Sequence, residues 1–399
     1  MINMWYFYSP KIIFGQDSLD HLEKVKGNKV FIVTDPGIIE VKLLDILTDK
    51  LKEYGKEWKV FSEVEPDPKE ETILKGAKIC QDYEPDLIIG LGGGSSLDTA
   101  KGIWILYERP DLEIDDMHPF MDLELGKKAE MVAIPTTSGT GAETTWAIII
   151  TRNRNGTEIK LEQANKAVIP TYAIIDPVFT KKMPPKLTAM TGFDAVAHTL
   201  EGLISTWRND FSDGMAIKAM ELILKYLPIA YENGDDEEAR EKMHNAATMA
   251  GLAFGNSQVV MGHAMGHVLG ATFHIPHGLT VGLFLPYILQ YTINDPENDE
   301  IKHILAKFAK MTGMADWQDS IEDANKKLIE TVKGLQVKVG LPQTLKDLNI
   351  DKEKLDEKVD MMSSQCLESS SSVMSPRAAD SSTFKKLFMY AYEGKDVDF

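Results

Sequence analysis

Asp86 to Tyr107 reads DLIIGLGGGSSLDTAKGIWILY, and this stretch decides the fold of the first half of the chain. DLIIGL is a short apolar run with β-branched residues, the pattern of a strand buried on both faces. A glycine-rich turn follows, Gly90 to Asp98, and helix-forming residues continue from Leu97 to Tyr107. A strand feeding a helix in this way is half of a βαβ unit, and such units build parallel sheets. Glycines let the backbone approach a pyrophosphate closely, and the helix N-terminus supplies free amides and partial positive charge. The spacing is not GxGxxG, so a purely structural tight turn stays open as the plainer reading.

Outward from this stretch the same alternation repeats. Lys29 to Thr34, Trp58 to Phe61, Met131 to Ile134 and Ala173 to Ile175 read as buried strands, with helical spacing over Ile38 to Tyr54 and Lys69 to Tyr83. Asn153-Arg154-Asn155-Gly156 is a turn signal expected to join two antiparallel strands. After Pro184-Pro185 strand signals fade and helices are expected at Ala195 to Ser205, Asp210 to Tyr231, Glu237 to Phe254, Val259 to Leu269, Glu300 to Met311, Ser320 to Val339 and Phe384 to Tyr392. The expectation is an α/β domain over residues 1–184 and an all-α domain over 185–399. Asn233 to Glu238 and the serine-rich Ser369 to Ser375 read as solvated loops.

The chain has 399 residues and 61 acidic against 43 basic side chains, a net charge of −18. Such a surface repels phosphate backbones and anionic lipid, which argues against nucleic-acid and membrane-surface partners. Its longest apolar windows, such as Leu279 to Ile288, are too short to span a bilayer, and no signal-peptide pattern opens the sequence. Two cysteines, Cys80 and Cys366, make no disulfide framework and fit a reducing cytoplasm. The expected setting is cytoplasmic.

Three further stretches carry chemistry. Pro135 to Glu143, PTTSGTGAE, follows a strand and combines hydroxyls with glycines, which suits hydrogen bonding to ribose or phosphate. Ligands of α/β domains bind outside the carboxyl ends of the strands, so two polar loops there strengthen each other. Gly262 to Gly278, GHAMGHVLGATFHIPHG, holds four of the nine histidines: His263, His267, His274 and His277. His263 and His267 are four apart and share one helix face; His274 and His277 flank a proline and are expected on a turn. Imidazole is the commonest ligand for zinc and non-haem iron. In Thr191 to His198, TGFDAVAH, Asp194 and His198 present an oxygen and a nitrogen one helical turn apart. With the histidine cluster in the same domain, an Asp/His/His/His metal site accounts for these residues better than isolated capping and packing roles.

GGGSSLD, TTSGTGAE, TGFDAVAH and GHAMGH…HIPHG, in this order and spacing, resemble the iron-containing (group III) alcohol dehydrogenase family, and the likeness covers essentially the whole chain, the N-terminal WYFYSPKIIFG included. The resemblance implies a Rossmann-like N-terminal domain followed by an all-α metal-binding domain, a dehydroquinate synthase-like architecture. It implies metal ligands Asp194, His198, His263 and His277 for one divalent ion, ferrous iron or zinc. It implies that His267 assists proton transfer, that Gly93, Gly94 and Ser95 hold the pyrophosphate, that Thr136, Thr137 and Thr145 line the cofactor, and that Lys160 meets its ribose. The reaction would be reversible hydride transfer between a small primary alcohol or aldehyde and the nicotinamide, in a homodimer or higher homo-oligomer.

Asp35 bears on which nicotinamide cofactor is used. It ends the strand KVFIVT, where a carboxylate accepts from ribose hydroxyls and repels a 2′-phosphate, so NAD is expected over NADP. Helix capping ahead of Pro36 is the plainer alternative. Two departures from the family pattern stand out. His274 occupies a position where relatives often carry Asn or Asp, and Met374-Ser375-Pro376-Arg377 replaces the usual Asn-Pro-Arg. Two other functions stay open: a dehydroquinate synthase-like lyase, disfavoured because no lysine or arginine lies inside a metal motif, and a non-catalytic nucleotide-binding protein, disfavoured by the intact ligand set.

Overall fold

The computed structural model describes residues 6–154 and 157–399, so the Asn155-Gly156 part of the expected turn lies outside the described residues. The chain divides into two compact units, Met1–Met183 and Pro184–Phe399.

The first unit runs β1 (Lys11–Phe14), β2 (Lys29–Val33), α1 (Pro36–Glu40), α2 (Leu43–Glu53), β3 (Glu57–Phe61), α3 (Glu70–Tyr83), β4 (Leu87–Gly92), α4 (Gly94–Glu108), β5 (Glu130–Pro135), β6 (Ala147–Arg154), β7 (Thr157–Ala164) and β8 (Tyr172–Ile175). Six strands form a parallel sheet in the order β1-β8-β5-β4-β2-β3, and β6 pairs with β7 antiparallel, as the turn signal required. Alternate side chains of β2 serve opposite faces: Phe31 and Val33 join one apolar cluster with α3 and α4 residues, Val30 and Ile32 another with Leu47 and Leu51 of α2. Every residue of β4 is buried.

Strand order fixes where a ligand can lie. The chain leaves β2 toward β3 on one side and returns to β4 on the other, so the connections after β2 and β4 diverge, which makes the crevice outside their carboxyl ends the switch point. Gly92 pairs with Pro135, and Thr136 N–H donates to the Gly92 carbonyl at 3.0 Å, which levels the ends of β4 and β5. The loops after β2, β4 and β5 therefore meet at one edge of the sheet.

Two expectations for this unit need correction. The single helix over Ile38 to Tyr54 is two helices, broken where Lys42 adopts the left-handed conformation with φ of 60°. β1 was not expected; it has only four residues, none of them buried.

The second unit is all-helical: α5 (Pro185–Ile204), α6 (Asp210–Glu232), α7 (Glu237–Gly255), α8 (Met261–Phe273), α9 (His277–Asn294), α10 (Glu300–Met311), α11 (Ile321–Lys338), α12 (Lys352–Glu368), α13 (Ser370–Val373) and α14 (Ser381–Glu393). Pro184 sits at the N-cap of α5 and Pro185 in its first turn, where a missing N–H costs nothing. One apolar core drawn from α5 to α14 holds the unit together. The apolar window at Leu279 to Ile288 lies inside α9, a helix with apolar residues all round because it is enclosed on all sides. The serine run is not a plain loop: Ser369 caps the short α13, and Ser371 is buried. Among the described residues no helix is long and apolar enough to cross a membrane.

Candidate metal and nucleotide sites

In the second unit α5, α8 and the start of α9 bring the acidic and imidazole groups together. Asp194 and His198 are buried on α5, His263 is buried on α8, and His277 is the first residue of α9. His277 thus opens a helix instead of lying on a turn. Two glycines allow the approach. A Cβ on Gly278 would lie 2.3 Å from the Met190 carbonyl oxygen of α5, and one on Gly266 would lie 2.5 Å from a Val281 methyl of α9.

Asp194 Oδ1 lies 3.3 Å from His277 Nε2, 3.6 Å from His198 Nε2 and 3.8 Å from His263 Nε2. Strong N–H···O bonds are shorter than this. Two donors each about 2.1 Å from a shared ion in tetrahedral array stand about 3.4 Å apart, so the spacing is that of ligands around an ion. Donor atoms of Asp194, His263 and His277 all lie within 4.8 Å of one another, and His198 flanks them, its ring stacked on Phe254 with centroids 4.0 Å apart.

The charges agree with that reading. Burial pushes the Asp194 carboxyl up, but the surrounding imidazoles outweigh it and hold the group well below the usual carboxylate range. Burial pushes His198 down to about 4, against the pull of Asp194. One carboxylate among imidazoles is a donor set for a divalent cation once the imidazoles are neutral, because ligands must be deprotonated to bind. The residues present fit the metal that the sequence pattern implies.

Glu201 was missed by the reading of the sequence. It is fully buried one turn beyond His198, and its Oε1 lies 3.0 Å from His263 Nδ1. Its Oε2 accepts from the backbone N–H groups of Val260 at 2.7 Å and His263 at 3.2 Å. Burial pushes this carboxyl up to about 8, and a cation seated among the imidazoles would lower it again. The signal was present in the sequence as an acidic residue at helical spacing after TGFDAVAH, but that spacing alone does not distinguish a buried group from a solvated one.

His267 is half-buried, with its ring centroid 4.9 Å from that of His277 and 5.8 Å from that of His263. His274 is exposed and caps α8 in the left-handed conformation, φ 53° and ψ 47°. Asn, Asp and His tolerate this conformation best, which gives a backbone reason for finding those residue types there. The Ser375 hydroxyl accepts from Met261 N–H at the start of α8 (3.1 Å), and the Arg377 guanidinium donates to the Tyr291 and Phe399 carbonyls. The altered C-terminal segment thus supports the helix that carries His263.

In the first unit the glycine-rich loop joins β4 to α4. Gly92 has φ of 152°, and a Cβ there would lie 2.4 Å from Ser96 Oγ. A Cβ on Gly90 would lie 2.9 Å from that of Ala100, so this glycine lets α4 pack on β4. Gly93 is the N-cap of α4 and, among the described residues, no side chain caps the helix, leaving the amides of Gly94 and Ser95 at an open helix N-terminus. Thr137 stands beside Gly93, and its buried hydroxyl has no hydrogen-bond partner among the described residues. An open helix N-terminus beside an orphaned hydroxyl fits a pyrophosphate-bearing nucleotide.

Thr136 and Thr145 are buried nearby in the chain; Thr145 Oγ1 accepts from Lys101 Nζ at 3.2 Å. Lys101 is itself fully buried and also reaches the Ala147 carbonyl at 3.0 Å and Asp98 at 3.5 Å. Lys160 is engaged with Asp67 and with Thr151 Oγ1. Asp35 takes the plainer of its expected places: Oδ1 caps α1 by accepting from Ile38 N–H at 3.1 Å, while Oδ2 accepts from Ser96 of the glycine loop.

Known proteins match both units of the chain. Residues 9–177 match the family described as iron-containing alcohol dehydrogenase, and residues 188–392 match its C-terminal part. The chain is 39% identical to an NADPH-dependent butanol dehydrogenase of Clostridium saccharobutylicum, over 99% of this chain and 100% of that one. It is 33% identical to the bifunctional aldehyde-alcohol dehydrogenase of Escherichia coli strain K12 over 98% of this chain, but spans only 47% of that protein's length. The solved structure of an alcohol dehydrogenase from Oenococcus oeni superposes with a TM-score of 0.89 at 30% identity, covering 98% of this chain and 100% of the other.

Proposed function

The chain belongs to the iron-containing alcohol dehydrogenase family and is a metal-dependent alcohol oxidoreductase; from that premise we propose that it moves a hydride reversibly between a small primary alcohol and NAD. The observation that carries this reading is the convergence of three imidazole Nε2 atoms on Asp194 Oδ1. In it Asp194, His198, His263 and His277 hold one divalent ion, ferrous iron before zinc, since that donor set suits both and the family is the iron-containing one.

When bound, the metal supplies Lewis acidity that lowers the pKa of an alcohol, and the nicotinamide supplies the hydride acceptor. Asp194 and the three ligating histidines fix where the substrate oxygen sits, which turns a bimolecular encounter into an oriented one. His267, half-buried beside His263 and His277, takes the alcohol proton and passes it outward. The open N-terminus of α4 with Gly93, Gly94 and Ser95 holds the pyrophosphate, while Thr136, Thr137 and Thr145 line the cofactor. Lys160 reaches the cofactor ribose by exchanging its contact with Asp67. Asp35, at the carboxyl end of β2, favours NAD over NADP by its negative charge.

Names of the relatives support a substrate of a few carbons: one is a butanol dehydrogenase and another, from Citrobacter freundii, a 1-propanol dehydrogenase. Two buried free thiols, Cys80 and Cys366, support a cytoplasmic setting, and the working form is proposed to be a homodimer. The test is anaerobic purification, metal analysis, and NADH and NADPH oxidation against a panel of short aldehydes. Turnover with a straight-chain aldehyde is expected; none with any aldehyde, despite bound metal and bound nucleotide, overturns the reading.

A further inference from the structure

We propose that Glu201 is a positioning residue that sets the tautomer of His263, so that Nε2 and not Nδ1 faces the metal. The inference rests on the metal site proposed above but makes a separate demand on the protein. Ionised, as a cation seated among the imidazoles would hold it, Glu201 offers carboxylate oxygens that accept hydrogen bonds and do not donate them. With Oε2 already accepting from the Val260 and His263 amides, Oε1 faces His263 Nδ1 at 3.0 Å. Nδ1 must then carry the proton, which leaves the Nε2 lone pair directed at Asp194 Oδ1, 3.8 Å away. Carboxylates that hold ligating histidines in this way raise ligand basicity as well as fixing the ring.

The surrounding sequence is arranged around this contact. Gly262 has no room for a Cβ, which would lie 2.5 Å from Glu201 Oε1. A glycine between Met261 and His263 therefore lets the start of α8 settle on the carboxylate. Val260, the N-cap of α8, provides no side-chain cap; Glu201 from α5 and Ser375 from the segment after α13 take the amides instead. One carboxylate thus both anchors the helix end and orients its ligand.

Glu201→Gln separates these two tasks. Its single amide oxygen can accept from the two backbone groups, but its NH2 then faces Nδ1 and places the ring proton on Nε2. Zinc(II) alone, titrated into metal-free full-length protein against a chromophoric chelator, is expected to bind this variant ~10- to 100-fold more weakly. Circular dichroism and melting of the metal-free form should stay near wild type, which simple loss of a helix cap would not allow. A loss smaller than tenfold overturns the proposal. If the variant does not fold, the imidazole 15N shifts of metal-free wild type at pH 9 decide, with His263 assigned through His263→Gln. A protonated Nδ1 sustains the tautomer and a protonated Nε2 refutes it. Wild type that shows the Nδ1–H form but binds no zinc would refute the metal site and leave this orientation standing.

Discussion

The Ser96 hydroxyl donates to Asp35 Oδ2 at 2.9 Å, joining the end of β2 to the glycine loop after β4. The same carboxylate caps α1 through its other oxygen. Asp35 therefore holds the two lips of the switch-point crevice together while placing a negative charge there.

Asp35→Asn keeps a cap acceptor and removes the charge. The ratio of kcat/KM for NADPH to that for NADH is expected to rise about tenfold or more, the scale of one unit charge interaction lost near a 2′-phosphate. Paired initial-rate measurements on one aldehyde check this. An unchanged ratio removes Asp35 from cofactor choice, an informative result beside a 39% identical relative described as NADPH-dependent.

His263→Ala takes away one imidazole of the metal set. Bound metal after anaerobic purification should fall about tenfold or more, the scale on which even supporting groups around a metal act. Turnover should fall with it, while NADH binding followed by fluorescence should persist, because the glycine loop belongs to the other unit. Stripping wild type with a chelator should reproduce both effects, and metal retained by the variant would remove His263 from the ligand set.

Lys101→Met leaves Asp98 buried without its cation. Burial already pushes the Asp98 carboxyl up and the Lys101 ammonium down, so each charge depends on the other. Breaking such a pair costs about 3–5 kcal/mol, whereas removing both charges costs far less. Denaturant unfolding should show that loss for Lys101→Met and partial recovery in the double variant with Asp98→Asn, whose amide can still accept from Ile149 N–H. No recovery would mean that Lys101 acts through Thr145 and Ala147 alone.

Gly278→Ala forces a Cβ to within 2.3 Å of the Met190 carbonyl, a backbone atom that cannot swing aside. The start of α9 must back away from α5 and carry His277 with it. A stability loss of about 1–3 kcal/mol is expected, together with weaker zinc binding; a variant that binds zinc as wild type does would show that His277 is not held in place by this approach.

The α/β-then-helical order was legible because the periods of hydrophobicity differ so plainly between the halves, and the parallel sheet and helical unit are as expected. What escaped reading did so for local reasons. β1 is four residues long, and α9 is apolar all round, so its sequence shows a hydrophobic run without a helical face. α12 carries many charges and little apolar signal. The break at Lys42 depends on a left-handed residue that no residue type announced.

By itself the sequence determined the chemistry on offer: a glycine turn between strand and helix, hydroxyls after the next strand, and an aspartate and histidines at helical spacing. Residue type and local period carry that information. Tertiary structure decided which of those groups converge, because convergence depends on contacts between residues far apart in the chain. Only packing of α5 against α8 and α9 places three Nε2 atoms around one Asp194 oxygen and slides Glu201 beneath His263. Only the strand order brings Asp35 to Ser96. And only a backbone conformation, the left-handed end of α8, assigns His274 to capping a helix.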